Sequence, residues 1–90
     1  MTTTDDELMQ PLSARTLRTY AADWALFTDW CAVTGHPELS ADPDTVLAFL
    51  ADCPAAPKTQ RGRVAAIDHR HTAAGHPPPG KSVVVLVLQG

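Results

Sequence analysis

SARTLRTYAADWALFTDWCAVTG, residues 13–35, is the longest uninterrupted periodic stretch of this 90-residue chain, and the rest must fold against it. It contains both tryptophans, the single tyrosine and one of the two phenylalanines. Apolar side chains recur in it at intervals of three and four residues, which places them on one face of an α-helix. They are Leu17, Tyr20, Trp24, Phe27 and Cys31. The pattern predicts a first helix from about Ala14 to Thr34, with Ser13 as N-cap and Gly35 at its left-handed end.

Two further helices are predicted after this one. Asp42 is a typical N-cap and Pro43 a typical first helical residue, so a second helix is expected over 43–52. A third is expected over about 59–74, where the three-four-three spacing returns at Val64, Ile67, His71 and Ala74. The third helix ends in Gly75-His76-Pro77, as the first ends in Gly35-His36-Pro37, and the echo indicates the same C-cap chemistry.

The predicted organisation is a disordered leader over 1–12, a helical domain over 13–80 and a short fourth helix over 81–90. The β-branched tail KSVVVLVLQ is also typical of a strand. A lone strand would have no partner in an otherwise helical chain, so a helix is favoured. The fold class expected is all-α.

Composition limits the class of protein. Ninety residues, 44% of them hydrophobic, are typical of one small globular domain. A net charge of −3 argues against a strongly basic nucleic-acid binder but leaves room for a local basic patch. The acidic N-terminus is not typical of a signal peptide, and the run VVVLVL is too short to cross a bilayer. We therefore expect a cytoplasmic protein with two free thiols, Cys31 and Cys53.

The chain has no recognisable catalytic or metal-binding motif. Its four histidines form neither HExxH nor a Cys/His quartet, and His69 and His71 point in different directions on a helix. Glycine-rich motifs that bind phosphate or carry a nucleophilic serine are also missing. The sequence therefore predicts no enzyme, no metal and no cofactor.

The distribution of positive charge is more informative. Five of the seven cations fall near the starts of the first and third helices: Arg15, Arg18, Lys58, Arg61 and Arg63. If consecutive helices run in opposite directions, both of these starts lie at one basic pole. Basic side chains and free backbone N–H groups would bind phosphate there, with Thr16 and Thr59 as neutral contacts. The alternative is that these are ordinary solvated helix ends.

Four segments of the chain resemble, in order and spacing, the core-binding, SAM-like domain of tyrosine recombinases (the phage-integrase family). They are the three predicted helices and the tail SVVVLVLQG, which resembles the start of a fourth helix. The first helix carries the family's polar and aromatic positions at Ser13, Thr16, Tyr20, Asp23, Phe27 and Trp30. The third carries Thr59, Ala66, Ile67 and His71, and the exit that follows has Gly75, Pro77 and Pro79. The resemblance covers roughly residues 13–90.

The resemblance implies a four-helix, largely orthogonal bundle that forms half of a C-shaped clamp around DNA. It implies a non-catalytic DNA-binding part of a site-specific recombinase, because the family's catalytic residues lie in a further domain after this region. The expected partners are double-stranded DNA of the att type and other recombinase protomers. The expected DNA contacts are Arg15, Thr16, Arg18, Lys58, Thr59, Arg61 and Arg63.

Two departures and two alternatives accompany this interpretation. Gln60 stands where the family usually has Ile or Leu, and Gly62 lies in the same turn, so both are expected to loosen the start of the third helix. One alternative is a protein-interaction module that pairs with or inhibits a full-length recombinase. The other is a degenerate fragment without a function.

Overall fold

A computed structural model of the protein describes residues 12–83. Within this range the chain forms three α-helices and one further helical turn, and it forms no strand. They are α1 (Ala14–Thr34), α2 (Pro43–Asp52), α3 (Pro57–Ala73) and the turn α4 (Gly80–Val83). The all-α class is therefore confirmed for the described residues. The predicted leader up to residue 11 and the tail from residue 84 lie outside them, so the complete four-helix bundle stays a prediction.

The ends of α1 are set by its own sequence. The backbone N–H of Thr16 donates to Oγ of Ser13 over 3.1 Å, which satisfies a donor that the first helical turn leaves open. At the other end Gly35 has φ of 80°, a left-handed conformation that glycine adopts without steric cost. The predicted similarity between the ends of α1 and α3 is confirmed, because Gly75 after α3 has φ of 84°. The N–H groups of His36 and His76 both donate to the carbonyl five residues earlier.

α2 and α3 both begin at a proline. The carboxylate of Asp42 accepts the N–H of Thr45 over 2.8 Å, so α2 has the predicted N-cap. The same bond holds the pKa of Asp42 below its ordinary value. α3 starts at Pro57, two residues before the predicted start, since proline fixes φ where its missing N–H is not needed. The residue before it, Ala56, offers no side-chain cap.

The core lies where the C-terminal half of α1 meets α2 and α3. Its fully buried members include Phe27 of α1, Val46 and Phe49 of α2, and Val64 and Ile67 of α3. The rings of Phe27 and Phe49 pack edge to face with centroids 5.1 Å apart, a favoured geometry for aromatic pairs. Burial of such side chains contributes on the order of 1.5–3 kcal/mol each to the stability of the fold.

One polar side chain belongs to this core, at the position that the periodicity of α3 predicts. His71 is fully buried, and the N–H of Ala41 donates to its Nε2 over 2.8 Å. Its Nδ1 lies 2.8 Å from the carbonyl oxygen of Ile67. Because Nε2 accepts, the proton must be on Nδ1, so the ring is neutral and both nitrogens are satisfied. His71 thereby ties the loop before α2 to the end of α3.

The predicted common end for the starts of α1 and α3 is wrong. Leu17 and Tyr20, in the first two turns of α1, line a groove together with His69 and Ala73 near the end of α3. The start of α3 lies elsewhere: a side chain at Gly62 would contact Asp23 of α1. The two helices therefore meet with opposite polarity. A connection through α2 does not force the first and third helices to run the same way.

Gln60 makes contacts that were not expected from the sequence, and whether it loosens α3 stays a prediction. Gln60 is buried, and its Nε2 donates to the carbonyl oxygens of Leu50 and Cys53, over 3.0 and 3.2 Å. Carbonyl groups at the end of a helix have no partner inside that helix. The polar side chain therefore joins the end of α2 to the start of α3, which an apolar residue would not do.

Candidate nucleic-acid interface

The first basic cluster is at the start of α1. Arg15 and Arg18 are exposed, and the first turn of α1 contains no acidic residue. Arg70, near the end of α3, lines the same groove as Leu17, and its guanidinium lies 5.2 Å above the centre of the Trp24 ring. We call Arg15, Arg18 and Arg70 the α1-start cluster. The positive charges of Arg15 and Arg18 add to the partial positive charge of the α1 N-terminus, an arrangement that favours an anion.

The second basic cluster is at the start of α3. Lys58, Thr59 and Arg61 are exposed there, and we call them the α3-start cluster. The first turn of α3 has no acidic residue and no side-chain cap. At 1.5 Å per residue, about 18 Å of helix separates Lys58 from Arg70. The structure thus divides the predicted basic pole into two separate clusters.

Arg63 differs from the other predicted contact residues because the fold already uses it. Its Nη1 donates to the carbonyl oxygen of Cys53 over 2.7 Å and to Oε1 of Gln60 over 3.0 Å. Its Nε is buried, with no hydrogen-bond partner among the described residues. Burial raises the pKa of the Asp23 carboxyl, and the charge of Arg63 partly opposes that rise. Arg63 therefore holds α2, α3 and the middle of α1 together.

The two predicted threonines also have different surroundings. Thr16 is half-buried and belongs to the cap of α1, since its Oγ1 accepts a hydrogen bond from Oγ of Ser13 over 2.9 Å. Thr59 is exposed within the α3-start cluster. Both hydroxyl groups lie in the same helical turn as exposed cations, and that of Thr16 is also part of a helix cap.

The groove between α1 and α3 was not predicted. Its volume is about 200 Å³, and its lining is Leu17, Tyr20, Ala21, Trp24, Ala66, His69, Arg70 and Ala73. The rings of Tyr20 and His69 lie 5.2 Å apart across it. The sequence signal for this surface is a pair of small residues, Ala66 and Ala73, four residues before and three residues after Arg70. That spacing is visible only once the partner helix is known.

The thiol and carboxyl groups nearest the core are engaged in the structure. Cys31 is buried, and burial raises the pKa of its thiol to about 11, with the charge of Glu38 adding to the rise. Burial likewise raises the pKa of Asp68, whose Oδ1 accepts the N–H of Gly80 over 2.7 Å. At neutral pH Cys31 is therefore a thiol and not a thiolate nucleophile.

The described residues contain neither a metal-binding cluster nor a membrane-spanning helix. No group of three or more His, Cys, Asp or Glu side chains there is arranged to hold a metal ion. No helix in the same part of the chain is both long enough and apolar enough to cross a membrane.

Comparison with known proteins shows a similarity to a recombinase over part of the chain. The chain is 42% identical over 62 residues to a protein described as an integrase/recombinase xerD homolog from Selenomonas ruminantium. The matched region is 67% of this chain but spans only 18% of the relative's length. No family model and no solved structure matches. The similarity supports a relationship to tyrosine recombinases, and it agrees with the resemblance seen in the first and third helices.

Proposed function

We propose that this chain is a non-catalytic, DNA-binding part of a protein related to site-specific tyrosine recombinases. The observation that carries the proposal is the 42% identity over 62 residues to an integrase/recombinase homolog. Recombination requires a protein to hold DNA, and the exposed cations of α1 and α3 provide side chains that suit phosphate. Within the proposal this region is the family's core-binding domain, and its target is a duplex of the att type.

The separation of the two clusters supports a particular mode of binding. The major groove of B-DNA is about 12 Å wide, less than the roughly 18 Å of helix between Lys58 and Arg70. The α1-start cluster and the α3-start cluster therefore contact phosphates on the two sides of one groove. The side of the protein between them faces the bases. This mode replaces the single basic pole expected from the sequence.

The proposed contacts are Arg15, Arg18, Lys58, Thr59 and Arg61, with Arg63 and Thr16 supporting the helices that carry them. Four cationic phosphate contacts give a slope of log K against log salt of about −3.6. We expect weak binding, micromolar or weaker, because so few contacts are made. A duplex with the recombination site should differ little from a random duplex if phosphates dominate the contact.

The test is a fluorescence anisotropy titration of a labelled duplex between about 50 and 200 mM salt, where phosphate contacts change affinity strongly. Replacing two arginines in Arg15→Gln/Arg18→Gln should weaken binding and lower the magnitude of the salt slope by about 2. Lys81→Gln is the matched control, since Lys81 is exposed and belongs to neither cluster. If the control and the double variant lose binding equally, the α1-start cluster is rejected as a specific contact with DNA. Absence of binding at the lowest salt would reject the proposed function.

The proposal also includes contact with other recombinase protomers. That part is tested separately by measuring the size of the chain in solution. The measurement is made first on the chain alone and then on its mixture with a full-length recombinase of the same family. A complex that forms without DNA would favour the interaction module as the main role of this chain.

A further inference from the structure

The groove between α1 and α3 is small, open on one side and positively charged. Its volume of about 200 Å³ lies below the roughly 300–1,000 Å³ that is usual for sites of drug-sized ligands. Among the described residues that line it, Arg70 and His69 carry or can accept a positive charge, and none is a carboxylate. Both of these side chains are exposed, and Leu17 keeps 45% of its surface exposed. The groove therefore suits a compact ligand that carries negative charge.

Four of the lining side chains end in planar groups, and contacts already hold them in place. The ring of Trp24 packs on Phe27 of the core, with centroids 5.5 Å apart. The guanidinium of Arg70 lies 5.2 Å from the centre of the Trp24 ring, so cation–π attraction holds it there. Tyr20 and His69 lie 5.2 Å apart, which is contact distance for two rings and leaves no room for a third between them. A ligand ring must therefore lie against these planar groups from the open side of the groove.

These properties match an unpaired nucleotide. The faces of a nucleobase are flat, and they stack on aromatic rings and on the plane of an arginine guanidinium. The phosphate next to the base supplies negative charge opposite Arg70. A base inside a duplex is covered on both faces by its neighbours, so only a base outside the stack can reach the rings. An acidic peptide would satisfy the charge, but its side chains need not be flat, so the four planar groups favour the nucleotide.

We propose that the α1–α3 groove binds an unpaired base of single-stranded DNA, with the base against Tyr20 and His69 and its phosphate on Arg70. The Trp24 ring keeps the Arg70 guanidinium in position, so that side chain loses less freedom on binding. The contacts proposed for duplex DNA do not line the groove. The inference extends the proposed function to unpaired DNA, and each of the two can fail without the other.

The direct test is NMR spectroscopy of the full chain with oligothymidylate, a single strand that does not pair with itself. Nuclear Overhauser effects between the thymine methyl groups and the ring of Tyr20 are the expected signal. The indole N–H of Trp24 should move as the strand is added, while that of Trp30, which donates to Asp52 outside the groove, should stay in place. A blunt duplex of the same strand with oligoadenylate should give no such effect. Absence of the effect with the single strand, or an equal effect with the duplex, overturns the proposal.

Anisotropy titrations of labelled oligothymidylate separate the role of the ring from that of the charge. Tyr20→Leu should weaken binding about tenfold because base stacking is lost, while Tyr20→Phe keeps the ring and should bind nearly as well. Arg70→Gln should weaken binding and lower the magnitude of the salt slope by about 0.7, the value for one phosphate on a single strand. Lys81→Gln removes the same charge outside the groove and should change neither quantity. Equal binding by the two Tyr20 variants, both folded by circular dichroism, overturns the proposal.

A comparison ligand separates the nucleotide from a protein partner. If a peptide rich in Asp and Phe moves the Trp24 and Tyr20 signals and oligothymidylate does not, the groove binds protein and the proposal is overturned. If duplex DNA binds and the single strand leaves the groove signals unchanged, only the groove site is overturned. If the single strand gives the expected contacts with Tyr20 and duplex DNA does not bind, only the proposed duplex contacts are overturned.

Discussion

The two halves of α1 carry the same apolar pattern but have different surroundings. In the C-terminal half, Phe27 and Cys31 are buried almost completely between α2 and α3. In the N-terminal half, Leu17 is exposed by 45%, and Tyr20 and Trp24 are only half-buried. The difference arises because α2 contacts only the second half: Phe27 and Trp30 both pack on Phe49. Within residues 12–83, the surface of the first half forms an open groove that is lined by α1 and α3.

This difference separates stability from recognition along one helix. The closed half supplies the packed aromatic contacts, and Nε1 of Trp30 also donates to Asp52 over 2.9 Å at the end of α2. The open half holds the exposed arginines and the apolar groove, which are the surfaces available to a ligand. Substitutions in the closed half should change the free energy of unfolding, and substitutions in the open half should change binding.

The largest expected effect tests directly whether the two halves of α1 contribute differently to stability. Phe27→Ala should lower the free energy of unfolding by about 3–5 kcal/mol, because it leaves a cavity in a fully packed site. Leu17→Ala is the matched change in the open half and should cost about 1 kcal/mol or less, since that side chain is already half in water. Urea denaturation followed by circular dichroism measures both. Equal losses would show that the open half is as closely packed as the core.

The second effect concerns the polar member of the core. His71→Phe keeps an aromatic ring of similar size but leaves the N–H of Ala41 without its partner, at a cost of about 1–3 kcal/mol. His69→Phe on the exposed side of the same helix should change stability by about 0.5 kcal/mol or less. The same denaturation experiment checks them. If His71→Phe is as stable as the unmodified chain, the hydrogen bond to the loop before α2 contributes little to the free energy of unfolding.

The smallest expected effect concerns Gln60, whose side chain joins the end of α2 to the start of α3. Gln60→Leu introduces the residue type typical of the resembling family but removes the donor to Leu50 and Cys53 and a partner of Arg63, so we expect a loss of about 1–2 kcal/mol. Thr59→Leu, one residue earlier and exposed, is the control and should be nearly neutral. Thermal unfolding of the two variants distinguishes them. Higher stability of Gln60→Leu would support the prediction that glutamine loosens the start of α3.

Much of the fold follows from local rules that the sequence contains. The start of α1 at Ser13, its end at Gly35 and the cap of α2 at Asp42 each depend on hydrogen bonds between residues three to five apart. The position of His71 on the apolar face of α3 follows in the same way from spacing alone. The exposure of Arg15 and Arg18 could also be predicted, because neither belongs to the apolar series Leu17, Tyr20, Trp24, Phe27 and Cys31 of α1.

The candidate site was predicted less completely. Arg63 was expected to contact DNA, but it follows Gln60 by three residues, and both turn toward the carbonyl groups that end α2. Arg70 was not expected at the site, because its neighbours there belong to α1. In both cases the role of an arginine depends on a helix far away in the sequence.

What the sequence determined by itself is therefore the set of helices, their caps and the apolar face of each one. These features depend on backbone geometry and on neighbours within about one helical turn. Only the tertiary structure decided which half of α1 would be covered, where the start of α3 would lie, and which cations would remain exposed. Those outcomes depend on the direction in which α1 and α3 meet, which is set by packing and hydrogen bonds between distant residues. Periodicity places a side chain on a face of its helix, but it does not specify which other helix that face will meet.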